Sequence, residues 1–467
     1  MQHNQVIKVL PGENFTPYAL ARKLNAVAML ESASFDGGRA RYSLLMVKEA
    51  FRVFQRDGLV YVSGERGQYK VGGEHPDILE VLRYFADQHA PPHQDFPFPT
   101  GGIGFLSFGF ARYCDTIAFQ QRPDPEGLPE AAFLFGHVLL VFDHYSDLIY
   151  LIGLNYEEQQ VDLEAELAAI ERTIGDLNFT YLQNGNDSYP ATVETDPEDR
   201  ARYEGTVEAL RDEIVAGNLL QAVPSRRVVV RSDMPAIEAY RRLRSSNPAP
   251  YLVYLDYGEF QMFAASPEVH VKAKDGHLTM RPIAGTRRRG ATEAEDLALE
   301  RELLADQKEL AEHLMLVDLA RNDLGRVSVP GSVRVTESRA IERYSKVMHI
   351  VSQVESTLAP GKTGFDAIRA TFPAGTVSGA PKIRAIETID TLEPHPRGFY
   401  AGIVAYVEPG GNLDSCITIR AGLRNRGRLV LQAGGGVVYD SSPKREFTET
   451  QEKLAALMAA LGLEVEQ

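Results

Sequence analysis

Four glutamates carry the clearest chemical pattern in this sequence, because they fall into two pairs: Glu309 with Glu312, and Glu446 with Glu449. Residues three apart on a helix project from one face, about one turn along it. Lys453 follows Glu449 at the spacing that shares that face. Isolated acidic pairs of this kind are ordinarily solvated surface. The first pair, however, runs directly into His313, Leu314, Met315, Leu316 and Val317, which read as a largely buried helix, and buried carboxylates need a cation or protons. Two acidic faces from separate helices suit a hard cation such as Mg2+, whose oxygen ligands are few and are completed by a substrate. Just before the second pair stand Gly434, Gly435 and Gly436. Consecutive glycines leave backbone N–H groups open to an anion, beside a helix start whose dipole also favours negative charge.

Two further segments are less specific. Residues 281–290 hold Arg281, Arg287, Arg288 and Arg289, a run that by itself reads as a solvated turn. Residues 371–382 are rich in small residues and lead into a helix, but lack the lysine spacing of a phosphate loop, so a nucleotide-dependent reaction is not indicated.

The elements that must position these residues are legible from periodicity. Residues 59–63, 132–143 and 148–154 read as strands, several of them buried. The polar, turn-forming stretch 183–197 marks a boundary between two regions, 1–185 and 198–467. An amphipathic helix is expected over 197–216, stopped by Gly217 and Asn218, and strands over 222–230, 251–257 and 270–274. Residues 292–322 read as a long helix broken once, 402–407, 416–423 and 428–434 as strands, and Ser442 with Pro443 as the start of the last helix. Clustered strands favour a mostly antiparallel α+β body over a doubly wound one.

Composition narrows the function. Hydrophobic residues at 44% and charged residues at 24% are those of a globular enzyme. No apolar run reaches the roughly 18 residues of a membrane span and the opening has no signal core, so a cytoplasmic protein is expected. The net charge of -15 argues against nucleic acid, and requires that any anionic substrate find local positive charge in its site. Cys114 and Cys416 lie in no metal-ligand spacing.

Taken in order, PIAGTRRRG, KELAEHLMLVDLARNDLGRV, YSKVMHIVSQV, FPAGTVSGAPKIRAIE, CITIRA and QAGGGVVYDSSPKREFTETQEK resemble the chorismate-utilising enzymes of the anthranilate synthase component I type, across residues 198–461. MLES at 29–32 and RYS at 41–43 resemble the amino-terminal region of the same family more diffusely. The resemblance implies that family's fold: large, mostly antiparallel sheets in a two-lobed body flanked by helices. It also implies its chemistry, the Mg2+-dependent amination of chorismate at C2 with loss of the C4 hydroxyl, then elimination of pyruvate to give anthranilate, the first step of tryptophan biosynthesis.

By the same resemblance the ring carboxylate of chorismate sits on Mg2+ held by Glu312 and Glu449 with Glu446 close by. The other carboxylate is expected at Arg420, Tyr400 and the N–H groups of Gly434, Gly435 and Gly436, with Lys453 adding positive charge. Arginine suits a planar carboxylate because its fork binds both oxygens. Gly285 and Thr286 are expected to line the ring and Thr376 to border the pocket. Glu309 is expected to protonate the departing hydroxyl, and His349 to act in the elimination. Isochorismate-forming relatives carry a water-activating lysine where this chain has Gln221, and aminodeoxychorismate synthases a nucleophilic lysine where it has Ala284. Direct amination remains, ending at anthranilate or, as the alternative, at 2-amino-2-deoxyisochorismate. A catalytically silent, tryptophan-binding subunit is the reading from another class, set against by the intact acid, metal and arginine positions.

Neither cysteine lies in a nucleophile elbow, so ammonia is expected from a separate glutamine amidotransferase subunit. Glu31, Ser32, Pro250 and Tyr251 resemble the segments that enclose the feedback inhibitor L-tryptophan, a carboxylate for its ammonium and an apolar wall for its indole.

Overall fold

The computed structural model describes residues 4–32, 41–73, 77–92, 96–176, 178–180, 188–344 and 347–463. Part of the expected boundary, 183–187, lies outside the described residues.

Strand formation follows the apolar runs. The strand Ala131–Asp143 is buried along its whole length, and Leu148–Leu154 pairs with its second half. Alternate residues enter two separate cores: Leu44, Met46, Leu139 and Val141 join one cluster, while Leu45, Val47, Leu140 and Phe142 join the other. Successive side chains of a strand point to opposite faces, so a strand covered on both sides reads as an unbroken apolar run. Among the described residues 21 strands are hydrogen-bonded into one antiparallel network, which bears out the antiparallel α+β expectation. Strands from the two ends of the chain share it: Ala28–Glu31 pairs with Tyr251–Asp256, and Ile103–Leu106 with Ile403–Val407.

The long helical stretch is broken as expected, into Glu293–Ala305 and Gln307–Gly325. Asp306 makes the break, its carboxylate accepting from the backbone N–H groups of Lys308 and Glu309, so Glu309 sits in the first turn of the second helix. That helix is buried along one face only, with Leu314 51% exposed, and so is less enclosed than its apolar band suggests. The last helix spans Pro443–Ala460 with Ser442 at its N-cap position.

Two expected strands are interrupted, both beside the site. The run 222–230 divides into Gln221–Ala222 and Ser225–Ser232, with Pro224 between them, a residue without an N–H to give a ladder. The run 416–423 divides into Leu413–Ile417 and Ala421–Asn425, and Arg420 takes φ +50° in the gap. The first gap is tied down by a buried ion pair: Glu393 accepts from Ser225 N–H at 2.7 Å and from Arg397 at 2.7 Å, while Arg397 also donates to the Val223 carbonyl. Ser225 is the ladder partner of Gly434, so this anchoring fixes where the glycine run begins. Among the described residues no helix is long and apolar enough to cross a membrane.

Candidate active site

The glycine run is where the two acidic helices meet. A Cβ placed on Gly435 would stand 2.9 Å from Glu446 Oε2 and 3.7 Å from Glu449 Oε1; one on Gly436 would stand 3.7 Å from Glu312 Oε1 and 2.7 Å from Gln221 Nε2. Gly434 admits no side chain either, with the Pro224 carbonyl oxygen 2.4 Å and the Tyr400 hydroxyl 3.1 Å from such an atom. Close approach of backbone to functional groups is what requires glycine at these positions. Lys453 Nζ bridges the two parts, 2.8 Å from the Gly434 carbonyl and 2.7 Å from Glu449 Oε1.

This arrangement concentrates negative charge. Burial, then Glu309 and Glu449, push the Glu312 carboxyl up; burial, then Glu449, do the same to Glu446. Glu449 is held below its ordinary value against its burial, because Lys453 pairs with it. Glu446 Oε2 is buried without a hydrogen-bond partner. Repelling carboxylates with an unsatisfied oxygen suit a divalent cation. Among the described residues no three acidic or imidazole groups close a metal site by themselves, so such an ion would draw part of its coordination from elsewhere.

Glu309, expected as the proton donor, is ion-paired. Arg287 NH1 donates to its Oε1 at 3.1 Å, and the same guanidinium binds Glu302 and Asp306. The basic run read as solvated turn is therefore part of the site at Arg287, which the sequence reading missed.

The second residue it missed is Glu268. Burial pushes this carboxyl up to about 7, against the pull of Thr376, Arg420 and Lys453. Thr376 Oγ1 is buried without a hydrogen bond of good geometry elsewhere and faces it. Pro267 and Glu268 directly follow the buried strand Phe260–Ser266, and an acid at the end of such a strand was the available signal.

Gly285 has φ +66° at a register shift between Ala284 and Thr286 on the strand Ile283–Arg288. The bulge aims its carbonyl at His349 Nδ1, 3.0 Å away, with Thr286 Oγ1 at 3.1 Å. Burial lowers His349 to about 4, with Arg420 and Lys453 adding to that shift and the Gly285 hydrogen bond opposing it. The ring is therefore neutral at ordinary pH; an Nδ1–H given to Gly285, the tautomer assigned from this contact, leaves the Nε2 lone pair available. Burial pushes the Tyr400 hydroxyl up to about 12 and disfavours the charge of Arg420, which Tyr400, Glu268 and Glu449 support.

A separate cavity of about 470 Å³ is lined by Glu31, Ser32, Pro250 and Tyr251 together. Glu31 is engaged by Arg244 at 2.7 Å and by the Tyr240 hydroxyl at 2.5 Å. Asp414 is a further acid of the lining, accepting from the Tyr251 hydroxyl at 2.9 Å.

An antiparallel body with paired carboxylates, a glycine run and a buried arginine defines a class, and the family model described as chorismate binding enzyme matches residues 48–459. Anthranilate synthase component 1 of Spirochaeta aurantia is 61% identical over 98% of this chain and 96% of its own. The protein of the same name from Thermus thermophilus is 40% identical over 95% and 94%. The crystal structure of anthranilate synthase component I from Streptococcus pneumoniae superposes with a TM-score of 0.81 at 35% identity, covering 90% of this chain and 92% of that one. The menaquinone-specific isochorismate synthase of Escherichia coli, at 18% identity and a TM-score of 0.74 over 98% and 94%, shares the fold. The chain belongs to the anthranilate synthase component 1 family of chorismate binding enzymes.

Proposed function

We propose that this chain converts chorismate and ammonia into anthranilate, pyruvate and water, with Glu268 rather than Glu309 as the proton donor. The observation that carries the mechanism is a buried carboxyl and a buried imidazole that share the neighbours Arg420 and Lys453, burial raising Glu268 to about 7 and lowering His349 to about 4. Groups whose environments push them apart in this way divide acid from base.

Arg420, Tyr400 and the N–H groups of Gly434 and Gly436 hold the enolpyruvyl carboxylate; the Gly435 N–H, expected to join them, is instead given to the Pro224 carbonyl at 3.2 Å. Lys453 offsets the charge of the acidic helices. Glu312 and Glu449, with Glu446 beside them and Glu309 steadied by Arg287, would hold Mg2+. When bound, the ion neutralises and orients the ring carboxylate. Ammonia adds at C2 as the ring double bonds shift and the C4–O bond breaks, and the ammonium so formed gives up one proton, the equivalent that restores Glu268. Glu268 gives its proton to the departing hydroxyl, which leaves as water. Thr376 receives the resulting carboxylate with a hydrogen bond, and Arg420 and Lys453 stabilise its charge. His349 Nε2 then takes the C2 proton while the C3–O bond breaks, the ring becomes aromatic, and the enolpyruvyl fragment gains a proton to leave as pyruvate. Gly285 fixes the imidazole, and Gln221 and Ala284 offer no rival nucleophile.

On this reading residues 198–467 form the catalytic region, and residues 1–185 contribute the inhibitor segment. Ammonia comes from a separate glutamine amidotransferase subunit. The isolated chain should turn over with ammonium and remain inert with glutamine until an amidotransferase subunit is added. Efficient use of glutamine by the chain alone would overturn this assignment.

The larger cavity is the L-tryptophan site in the same proposal. Ser32 faces the ligand, Pro250 and Tyr251 wall the indole, and the acids Glu31 and Asp414 match its ammonium. The chain contains no tryptophan, so the ligand's own emission can be followed without protein background. Titrating protein into tryptophan should shift that emission, and chorismate with Mg2+ should weaken the binding, since such coupling is reciprocal. An emission unchanged at saturating protein would remove the site.

A further inference from the structure

A small cavity lined by Glu268 and Thr376 shares a wall with the larger cavity. Val269 and Arg281 line both, and Val269 directly follows Glu268. Arg281 donates to Glu342, another residue of the larger cavity. The second oxygen of Glu342 accepts from the Tyr344 hydroxyl at 3.1 Å. The Tyr344 ring meets the His349 imidazole edge-on, with centroids 5.3 Å apart and planes at 72°. Glu342 and His349 are also ladder partners on the adjacent strands Arg334–Arg343 and Val347–Thr357. A continuous set of direct contacts thus runs from the cavity wall to the imidazole.

The chemistry of these contacts makes them sensitive to an anion in the cavity. Arg281 also lies 3.6 Å from Glu337, so its guanidinium is already shared between acids. Burial pushes the Glu342 carboxyl up and the guanidinium opposes that shift, so the pair depends on staying together. A ligand carboxylate beside Arg281 competes with Glu342 for the same N–H fork.

We propose that the Arg281–Glu342 ion pair reports occupancy of the larger cavity to His349 through Tyr344. This rests on the reading of that cavity as the tryptophan site. The ligand's α-carboxylate draws Arg281 away from Glu342, Glu342 moves with the Tyr344 hydroxyl it accepts from, and the ring that holds the imidazole edge shifts. The imidazole leaves the position in which it meets the chorismate ring, which lowers chorismate affinity, while Glu268, Glu312 and Glu449 keep theirs. Arg281, Glu342 and Tyr344 are positioning residues in this account. A demonstrated response of one buried network to both sites is the physical content of coupling.

The test uses the full chain and two conservative variants, Tyr344→Phe and Glu342→Gln. Tryptophan affinity is read from ligand emission with and without chorismate and Mg2+, and the His349 imidazole is followed by nitrogen-15 NMR. In the unchanged chain, tryptophan should move the His349 resonance, and chorismate should weaken tryptophan binding at least tenfold. In folded Tyr344→Phe tryptophan should still bind within about threefold of normal, and in folded Glu342→Gln at least as tightly as normal because its competitor for Arg281 is gone, while in both the chorismate effect falls below threefold and the His349 resonance stops responding. A merely structural role would change stability or affinity without separating these readouts. Normal coupling and a normal His349 response in a folded variant would overturn the proposal. Absence of tryptophan binding to the unchanged chain would overturn it at the level of the cavity, a failure distinct from a broken relay in a chain that binds.

Discussion

Glu268→Gln should lower kcat by about 10²–10⁴-fold, the range lost when a positioned general acid is removed. The amide keeps the shape and the contact with Thr376 but has no proton to give. In the unchanged chain kcat/KM should rise with pH through about 4, as His349 becomes neutral, and fall above about 7, as Glu268 loses its proton. The sign follows from the roles: the base works deprotonated and the acid protonated. In Glu268→Gln the alkaline limb should vanish from the residual activity. An alkaline limb that stays near 7 in this variant would mean that another group donates the proton.

Glu312→Ala and Glu449→Ala should each lower Mg2+-dependent turnover on the order of 10³-fold, because the charge stabilisation a bound ion supplies is worth several kcal/mol. Stability should separate from activity in Glu312→Ala. The folded-state carboxyl is raised by burial and by its acidic neighbours, so above that raised value the ionised group opposes folding in the absence of metal. Removing it should leave the thermal midpoint at pH 8 in chelator unchanged or higher. Mg2+ should then raise the midpoint of the unchanged chain but not of the variant. Equal stabilisation of both by Mg2+ would take Glu312 out of the metal site.

Much of this site was legible because helical spacing is a local property. Glu309 with Glu312, Glu446 with Glu449, and the glycines before the last helix announce themselves within a dozen residues, and the buried strand Ala131–Asp143 announces itself by its unbroken apolar run. Glu268 was not legible in that way. Its burial and its neighbours Thr376, Arg420 and Lys453 come from segments remote in the chain, and only the assembled pocket raises its carboxyl. Arg287 looked like one arginine of a solvated run. Its partner Glu309 is brought to it by the helix break at Asp306, where one carboxylate caps the new helix and also takes the same guanidinium. The interruptions at Pro224 and Arg420 were hidden by β-branched runs that read as continuous strands, and both turn backbone or side chain towards the pocket. Periodicity reports what an element buries, whereas these groups are defined by what is buried against them.

The most direct test of the central claim is to incubate the purified chain with chorismate, ammonium and Mg2+ and to identify the products by chromatography and proton NMR. Anthranilate and pyruvate should form in equal amounts, none without Mg2+, and at least about 10²-fold more slowly in Glu268→Gln. Accumulation of a non-aromatic aminated ring without pyruvate, or an undiminished rate from Glu268→Gln, would contradict the account.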